Sequence, residues 1–345
     1  MDKQSTKVLD LFCGAGGFSV GIDDDTIEVI AGIDINESAL ETYRANIDAP
    51  GYNIDIAETT PEELLQQIGA DTEDIDIVTG GPPCQGFSLA GDRDPDDPRN
   101  KLVDSYFDLI AHIEPSLFYM ENVKGLLSMD DGEVIRGLEQ RIEDIGYEYD
   151  YSVLNAADYG VPQTRERLIL IGSKHVLPTL PDPTHDDDWV PLRTVLDGTG
   201  ETADGKSYLV TSPSGDSYQV HGRDSFRTTD APAYTHTGRY SRLIPPEFVP
   251  HDDATPATAQ HRRLTKRESA RIQSFPDDYE WRGNGIMRQQ GNAMPPRLAN
   301  AISSSIAILK YNNLKADLRE SRSYPNVETH RQTKLTDHGF VLAGD

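Results

Sequence analysis

Short apolar runs alternate with amphipathic stretches between residues 7 and 175 of this 345-residue chain. The apolar runs have the length of strands, and the stretches between them have the length and spacing of helices. Six runs predict strands: Val8–Phe12, Glu28–Ile33, Ile75–Thr79, Leu117–Met120, Tyr149–Leu154 and Leu168–Gly172. Alternation of this kind is typical of βαβ units, so we expect an α/β fold built on a mostly parallel sheet.

Helices are predicted where apolar residues recur every three or four positions. One begins at Thr60–Glu63, which combines an N-cap, a proline at the first helical position and a capping glutamate. Two more span Lys101–Ile113 and Glu133–Ile145, each with one apolar face. Another begins at a second capping box, Thr265–Glu268, and the last follows Pro295-Pro296.

The periodicity weakens near Leu180, where Pro181–Asp186 has the composition of a linker. From there to about Arg263 the chain is rich in Gly, Ser, Thr, Pro and Tyr, which predicts a second, smaller, loop-rich domain. We divide the chain into a first domain over residues 1–184 and a second over 185–285. Residues 286–312 then return to the first domain, and residues 313–345 form a polar tail.

The composition favours a cytoplasmic protein. No apolar run approaches the length of a membrane span, and the N-terminus lacks a signal-peptide pattern. There are two cysteines, Cys13 and Cys84, so the sequence argues against a disulfide framework. This cysteine usage indicates a reducing compartment. An apolar content of 37% is enough for a core at this length.

The chain is strongly acidic, with 58 Asp and Glu against 32 Lys and Arg and a formal net charge of −26. Taken alone, this charge argues against a nucleic-acid partner. It also fits the surface of a halophilic protein, because molar salt shortens the Debye length to roughly 3 Å and screens self-repulsion. We therefore expect a halophilic, archaeal origin.

The acidic charge is unevenly distributed. Between His221 and Asn300 the chain has twelve Lys and Arg and nine Asp and Glu, a net charge of +3. This stretch is the one best suited to contact a polyanion, although a basic structural patch is the alternative that charge alone leaves open.

Cys84 is the candidate nucleophile. It follows the predicted strand Ile75–Thr79 within Gly80–Ser88, where glycines and prolines turn the chain out of the sheet. A buried, inert cysteine is the commoner case, and we interpret Cys13 in that way. The position of Cys84 at a strand end instead favours a thiol that faces a crevice.

Charged residues at two other strand ends extend this pattern. Glu121, in Glu121-Asn122-Val123, could donate a hydrogen bond to a ring nitrogen, although a solvated strand-end acid is the simpler alternative. Arg165 and Arg167 alternate along a strand, so they share a face and could grip a base carbonyl or a phosphate. Their alternative role is to pair with neighbouring acids.

A glycine-rich loop follows the first strand, in Asp10–Ser19. It lacks the GxGxxG pattern, so a nicotinamide dinucleotide is disfavoured. Asp34 ends the second strand, where an acid conventionally accepts from ribose hydroxyls. Asp55 could end a third strand and accept from an adenine amino group, so a nucleoside-type cofactor fits.

Taken in order, these blocks resemble the C5-cytosine DNA methyltransferases from about Lys7 to Ile308, most weakly between Pro181 and His261. The matching blocks are Asp10–Ser19, Gly80–Ser88, Glu121–Val123, Gln163–Arg167, Arg263–Tyr279 and Gly291–Pro296. The resemblance implies a Rossmann-like methyltransferase sheet in the first domain and target recognition in the second.

The resemblance also implies S-adenosylmethionine as the methyl donor and no metal site. The cofactor-binding residues it implies are Asp10, Phe12, Gly14, Gly16, Gly17, Asp34, Ile35, Asp55, Ile56, Pro82, Asn292 and Ala293. The family most often has Glu at the position of Asp34, and some members have an aromatic residue at the position of Ile35. Contacts to ribose and adenine are therefore expected to differ here.

The catalytic residues implied are Cys84, Glu121, Arg165 and Arg167. Cys84 would attack carbon 6 of a cytosine flipped out of duplex DNA, with Glu121 acting at N3 and Arg165 steadying the base. The loop Gln85–Arg99 would close over the base. We expect residues 192–260 to set the recognition sequence, and we expect a monomer that acts on double-stranded DNA, with or without a cognate restriction endonuclease.

Two alternatives remain. Relatives that methylate transfer RNA share the Pro-Pro-Cys and Glu-Asn-Val motifs, but typically have a further Cys-Phe-Thr, and this chain has no cysteine after Cys84. A catalytically silent DNA-binding relative is the second alternative, and the intact Cys84, Glu121 and Arg165 argue against it.

We predict that methylation activity rises with KCl or NaCl into the molar range and is poor in dilute buffer. An ordinary DNA-binding protein loses affinity as salt rises, whereas here screening relieves repulsion among the acidic residues and between them and DNA. An activity titration from dilute buffer to molar salt tests this. Activity that is greatest in dilute buffer and falls steadily with salt would contradict the halophilic interpretation.

Overall fold

The computed structural model describes residues 5–22, 26–83, 100–186, 188–197, 208–211, 226–237, 241–244 and 262–304. The predicted loop Gln85–Arg99, together with Cys84, lies outside the described residues, as does the predicted polar tail. Among the described residues, no helix is long and apolar enough to span a membrane.

A seven-stranded sheet forms the centre of the fold, with the order β3-β2-β1-β4-β5-β8-β6. Its strands are β1 (Thr6–Leu11), β2 (Ile27–Asp34), β3 (Gly51–Asn53), β4 (Ile77–Gly80), β5 (Leu117–Val123), β6 (Glu148–Asn155) and β8 (Glu166–Ser173). Strands β1 to β5 are parallel, and β8 is antiparallel to both β5 and β6. The predicted α/β architecture with a mostly parallel sheet is therefore confirmed, and all six predicted strands are present.

Helices cover both faces of this sheet because alternate strand residues point to opposite sides. The helices are α1 (Gly17–Gly21), α2 (Glu37–Asn46), α3 (Pro61–Ile68), α4 (Asn100–Ile113), α5 (Glu133–Asp144), α6 (Lys266–Ile272), α7 (Ile286–Asn292) and α8, over residues 296–304. On one face Leu9 and Leu11 pack with residues of α3, α4 and α5. On the other, Val8 packs with Phe18 of α1 and Leu298 of α8.

A smaller antiparallel sheet follows in the second region. It has the order β10-β9-β12-β13, from β9 (Tyr208–Thr211), β10 (Phe226–Thr228), β12 (Ser241–Ile244) and β13 (Arg262–Arg263). The sequence predicts a loop-rich domain here, because strands of two to four residues are too short to show clear alternation. Pairing with neighbouring strands supplies the order that local sequence lacks.

Two further short strands join the two regions. Strand β11 (Ala233–Tyr234) pairs in parallel with β7 (Gln163–Thr164), which lies just before β8. Residues 279–282 also contact the first region: the hydroxyl of Tyr279 donates to the carbonyl of Ala15, and Glu280 N donates to Asn46 of α2. The domain boundaries stay predictions, and these contacts join residues assigned to the second domain to the first.

We predict that Thr60→Ala lowers the free energy of unfolding by about 1 kcal/mol. Thr60 caps α3 through a bond from Glu63 N to its hydroxyl, and the Glu63 carboxylate accepts from Thr60 N in return. Urea unfolding measures the change, and Thr60→Ser is the matched control because serine retains the accepting hydroxyl. An alanine variant as stable as the parent would show that the capping box does not stabilise the fold.

Candidate active site

The predicted site residues that the structure describes lie near one edge of the large sheet. Strands β1, β2, β4 and β5 end there, and the antiparallel strand β8 begins there, since Val123 pairs with Arg167. The strand order reverses between β1 and β4. A crevice outside the carboxyl ends of strands at such a switch point is where open α/β sheets bind their ligands.

The glycine loop after β1 is held in place by a backbone hydrogen bond to β2. Phe12 has a φ of 56°, a conformation that non-glycine residues seldom adopt, and Cys13 N donates to Ile33 O at 3.0 Å. Among the described residues, a Cβ added at Gly14 would find only the Oδ2 atom of Asp34, at 4.0 Å, so these residues leave the space beside this glycine open. The loop can therefore admit a ligand close to its backbone.

The lack of a side chain at Gly17 lets the backbone of Met294 pack closely against it. A Cβ at Gly17 would lie 2.1 Å from the carbonyl oxygen of Met294, which no real contact permits. The glycine brings the segment after α7 against the loop, so Asn292 and Ala293 reach the same edge of the sheet. Gly16 has a φ of 87° and is the N-cap of α1, where L side chains are disfavoured.

Asp34 and Asp55 occupy the ends of neighbouring strands. The Asp34 carboxylate accepts from Gly14 N at 2.8 Å and from Asn36 N at 2.7 Å, and burial raises its pKa. Strand β3 ends two residues before Asp55, and Asp55 accepts from Ala57 N at 3.0 Å. Ile35 is 66% exposed beside them, while Ile56 is buried. Two carboxylates and an exposed aliphatic side chain thus lie at this part of the edge.

The segment that leads to Cys84 is joined to β5. Asn122 is buried and donates from Nδ2 to Pro82 O at 3.0 Å, and its Oδ1 accepts from Val123 N at 2.8 Å. A Cβ at Gly81 would lie 3.4 Å from Oε2 of Glu121. Glu121 therefore faces the chain three residues before Cys84.

An ion pair holds Glu121. Its Oε1 atom lies 2.8 Å from Nε of Arg167, and both side chains are largely shielded from solvent. An arginine that pairs with a partly shielded carboxylate fixes its orientation through a charge-assisted hydrogen bond. The acid is thus oriented at the edge that the nucleophile's segment also reaches.

Comparison with known proteins shows to which family this chain is related. The model of C-5 cytosine-specific DNA methylases matches residues 6–307. Type II methyltransferase M1.HphI of Haemophilus parahaemolyticus is 34% identical over 342 residues, covering 89% of this chain and 88% of that protein. Type II methyltransferase M.FnuDI of Fusobacterium nucleatum is 31% identical, covering 91% and 98%.

The chain belongs to the C-5 cytosine-specific DNA methylase family. Its enzymatic activity is that of a DNA cytosine-5 methyltransferase, as the sequence predicts. The crystal structure of the S. pombe Dnmt2 methyltransferase has a TM-score of 0.62 to this methylase, with 19% identity over 88% of this chain and 99% of that one. At that identity the likeness shows the fold alone.

Asp10 of this methylase is buried beneath the glycine loop, not open to the crevice. It accepts from Ser19 at 2.6 Å and from Thr79 at 2.9 Å, which ties β1 to α1 and to β4. Burial raises the pKa of Asp10 to about 6, although both hydroxyl hydrogen bonds act in the opposite direction. These contacts support the loop from below, whereas the cofactor contact expected for Asp10 stays a prediction.

Arg165 and Arg167 have different surroundings. Arg165 is only 2% exposed, and its Nη1 atom donates to Gly291 O at 2.9 Å and to His236 O at 3.2 Å. Its buried Nε has no hydrogen-bond partner among the described residues. Burial lowers the pKa of Arg165, with the charge of Arg167 acting in the same direction. Of the two arginines, Arg167 is therefore the one that pairs with Glu121.

Several residues at the site are not among those that the sequence predicts. Gln163, Asn122 and Met294 stand inside the recognised motifs, so the motifs are a signal that could have found them. Tyr279 also ends a recognised block, Arg263–Tyr279, whereas His236 lies outside every motif and reaches the site only by tertiary contact. No local pattern identifies such residues.

We predict that Asp10→Asn changes the pH dependence of stability. The folded-state pKa of Asp10, about 6, lies above the ordinary 3.8. The contribution of Asp10 to the free energy of unfolding is therefore full below pH 3.8 and is lost as pH rises through about 6. The unfolding free energy of Asp10→Asn, relative to the parent, should rise by about 2 kcal/mol from pH 4 to pH 7.

Urea unfolding in molar salt at each pH measures this difference. The exposed Asp130→Asn variant is the matched control for removal of one negative charge. A difference between Asp10→Asn and the parent that is constant across the range would contradict the prediction.

Proposed function

We propose that this methylase transfers a methyl group from S-adenosylmethionine to carbon 5 of a cytosine flipped out of double-stranded DNA, through a covalent adduct with Cys84. The observation that supports the proposal is the approach of the Glu121–Arg167 ion pair to residues 81–83, immediately before Cys84. An oriented acid next to the segment that carries the only cysteine of the Pro-Pro-Cys motif suits attack on a pyrimidine ring.

The residues at the sheet edge fit S-adenosylmethionine. Asp34 and Asp55 supply acceptors suited to ribose hydroxyls and an adenine amino group, and Ile35 supplies an apolar surface. The open space at Gly14 admits the ligand, while Phe12, Pro82, Asn292 and Ala293 would border it. When bound, the group supplies an electrophilic methyl on a sulfonium.

The chain's own residues would carry the remaining chemistry. The Cys84 thiolate adds to carbon 6, and the electron pair of the 5,6 double bond moves so that carbon 5 becomes nucleophilic. Glu121 stabilises this by protonating or hydrogen-bonding N3. After carbon 5 has taken the methyl, it loses its proton to a base, the bond from sulfur to carbon 6 breaks, and the aromatic ring is restored.

The two arginines are proposed to divide the work. Arg167 orients Glu121 and is the one placed to reach a base held against it. The family resemblance implies that Arg165 steadies the base, but a side chain 2% exposed and bonded to two carbonyls is poorly placed to reach a ligand. We therefore propose that Arg165 acts through the backbone it binds.

The wider biological setting follows by analogy. M1.HphI and M.FnuDI are Type II methyltransferases by name, so we propose that this enzyme methylates a specific duplex site, alone or with a cognate restriction endonuclease. We propose that it acts as a cytoplasmic monomer, with residues 192–260 reading bases in the major groove. Transfer of methyl groups to transfer RNA and not to duplex DNA would favour the RNA alternative.

We predict that Cys84→Ser abolishes methyl transfer while cofactor binding persists, because a hydroxyl is a far poorer nucleophile than a thiolate. The parent should form a covalent complex with duplex DNA containing 5-fluorocytosine, since fluorine cannot leave as a proton does. Denaturing gels measure the complex, and calorimetry measures cofactor affinity.

Cys13→Ser is the matched control, because it makes the same change at the other cysteine, which is buried. It should still form the covalent complex. Transfer by Cys84→Ser at the parent rate, or failure of the parent to trap fluorinated DNA in the presence of cofactor, would contradict attack by Cys84 at carbon 6.

A further inference from the structure

A short segment of the second region is bound to Pro162 and to β7, immediately before Arg165. Ala233 N donates to Pro162 O at 2.9 Å, and the hydroxyl of Thr235 donates to Thr164 O at 2.9 Å. The pairing of β11 with β7 is parallel and in register. Any displacement of this segment therefore also displaces the backbone beside Arg165 and Arg167.

His236, the next residue after Thr235, uses three polar groups to bind residues of the blocks Gln163–Arg167 and Arg263–Tyr279. Its backbone N–H donates to Oε1 of Gln163 at 2.8 Å, and its carbonyl accepts from Arg165 at 3.2 Å. Its ring Nε2 lies 2.6 Å from the hydroxyl of Ser269 on α6. The residue is 2% exposed, so water cannot readily replace these bonds.

The bonds continue from His236 to the C-terminal end of α7. Gln163 donates from Nε2 to Oε1 of Gln273 at 2.7 Å, and Gln273 donates to Gln290 O at 2.6 Å. Arg165 itself donates to Gly291 O, which immediately precedes Asn292 and Ala293. One buried network thus connects the second region, the backbone around Arg165 and the edge proposed to bind the cofactor.

The ring of His236 is suited to holding a fixed orientation. Burial lowers the pKa of His236 to about 4, and the charge of Arg165 acts in the same direction. The ring is therefore neutral at neutral pH and adds no second buried cation beside Arg165. Its orientation depends on the hydrogen bond with Ser269 and on packing.

We propose that His236 is a positioning residue that couples recognition of the DNA sequence to methyl transfer. It holds the second region in register with Arg165 and, two residues further along the chain, with the Arg167–Glu121 pair. The inference rests on the proposed function, because it requires the second region to read DNA and the Arg167–Glu121 pair to act on the base. Correct seating of the second region then favours the productive position of that pair.

The experiment compares two duplexes, one with the recognition site and one with a single base pair changed in it. Methylation sequencing of DNA treated with the parent first identifies the site. The discrimination ratio is kcat/KM on the correct duplex divided by kcat/KM on the altered one. His236→Leu removes the ring hydrogen bond, and Ser269→Ala removes its partner with a smaller change in volume.

We expect both variants to lower the discrimination ratio about tenfold, the effect of losing one buried hydrogen bond that contributes to it. Affinity for S-adenosylmethionine, measured by calorimetry without DNA, should stay within about twofold. His236→Gln keeps a hydrogen-bonding group and should recover most of the ratio. His175→Leu, the same change at an exposed histidine near the opposite edge of the sheet, is the matched control and should not alter the ratio.

A purely structural role predicts a different result. Equal loss on both duplexes, or loss of cofactor affinity to the same extent, would overturn the inference, as would an unchanged ratio in a folded Ser269→Ala variant. If His236→Leu fails to fold, Ser269→Ala decides. A parent that forms no covalent complex with fluorinated DNA would instead contradict the proposed function, whatever the variants do.

Discussion

The close packing of Gly17 against Met294 is the constraint on which the site depends. The carbonyl oxygen of Met294 occupies the space that any Cβ at position 17 would need. This contact brings a segment from near residue 294 onto a loop that follows the first strand of the sheet. The same contact helps to hold the end of α7, where Gly291 accepts from Arg165.

Buried charge at this edge is arranged in two ways. Asp10 lies beneath the loop, where two hydroxyl groups replace the water it has lost, and the remaining cost appears as its raised pKa. Arg165 is buried against carbonyl oxygens, and no carboxylate among the described residues forms an ion pair with it. Burying a charge costs free energy. Asp10 and Arg165 are therefore stable only where their hydrogen-bonding neighbours are held in place. Neighbours fixed in this way make a preorganised site.

The exposed parts of the chain follow a different rule. Most of the ion pairs among the described residues join partly exposed side chains, such as Arg141 with Asp104 and Asp108. Pairs of this kind contribute little individually and are screened by salt. The net charge of −26 therefore bears on solubility and on the approach of DNA, whereas the geometry of the site depends on the buried groups.

The sequence by itself determined the features that depend on neighbouring residues. Six apolar runs predicted six strands, the capping boxes at Thr60 and Thr265 marked the starts of α3 and α6, and the motif order indicated the family and its chemistry. Tertiary structure alone decided which arginine pairs with Glu121, because Arg165 and Arg167 look equivalent in a strand pattern. It also decided the pairing of the strands in the second sheet and the contacts of His236. Those features depend on contacts between residues far apart in the chain, and such contacts leave no periodicity in local sequence.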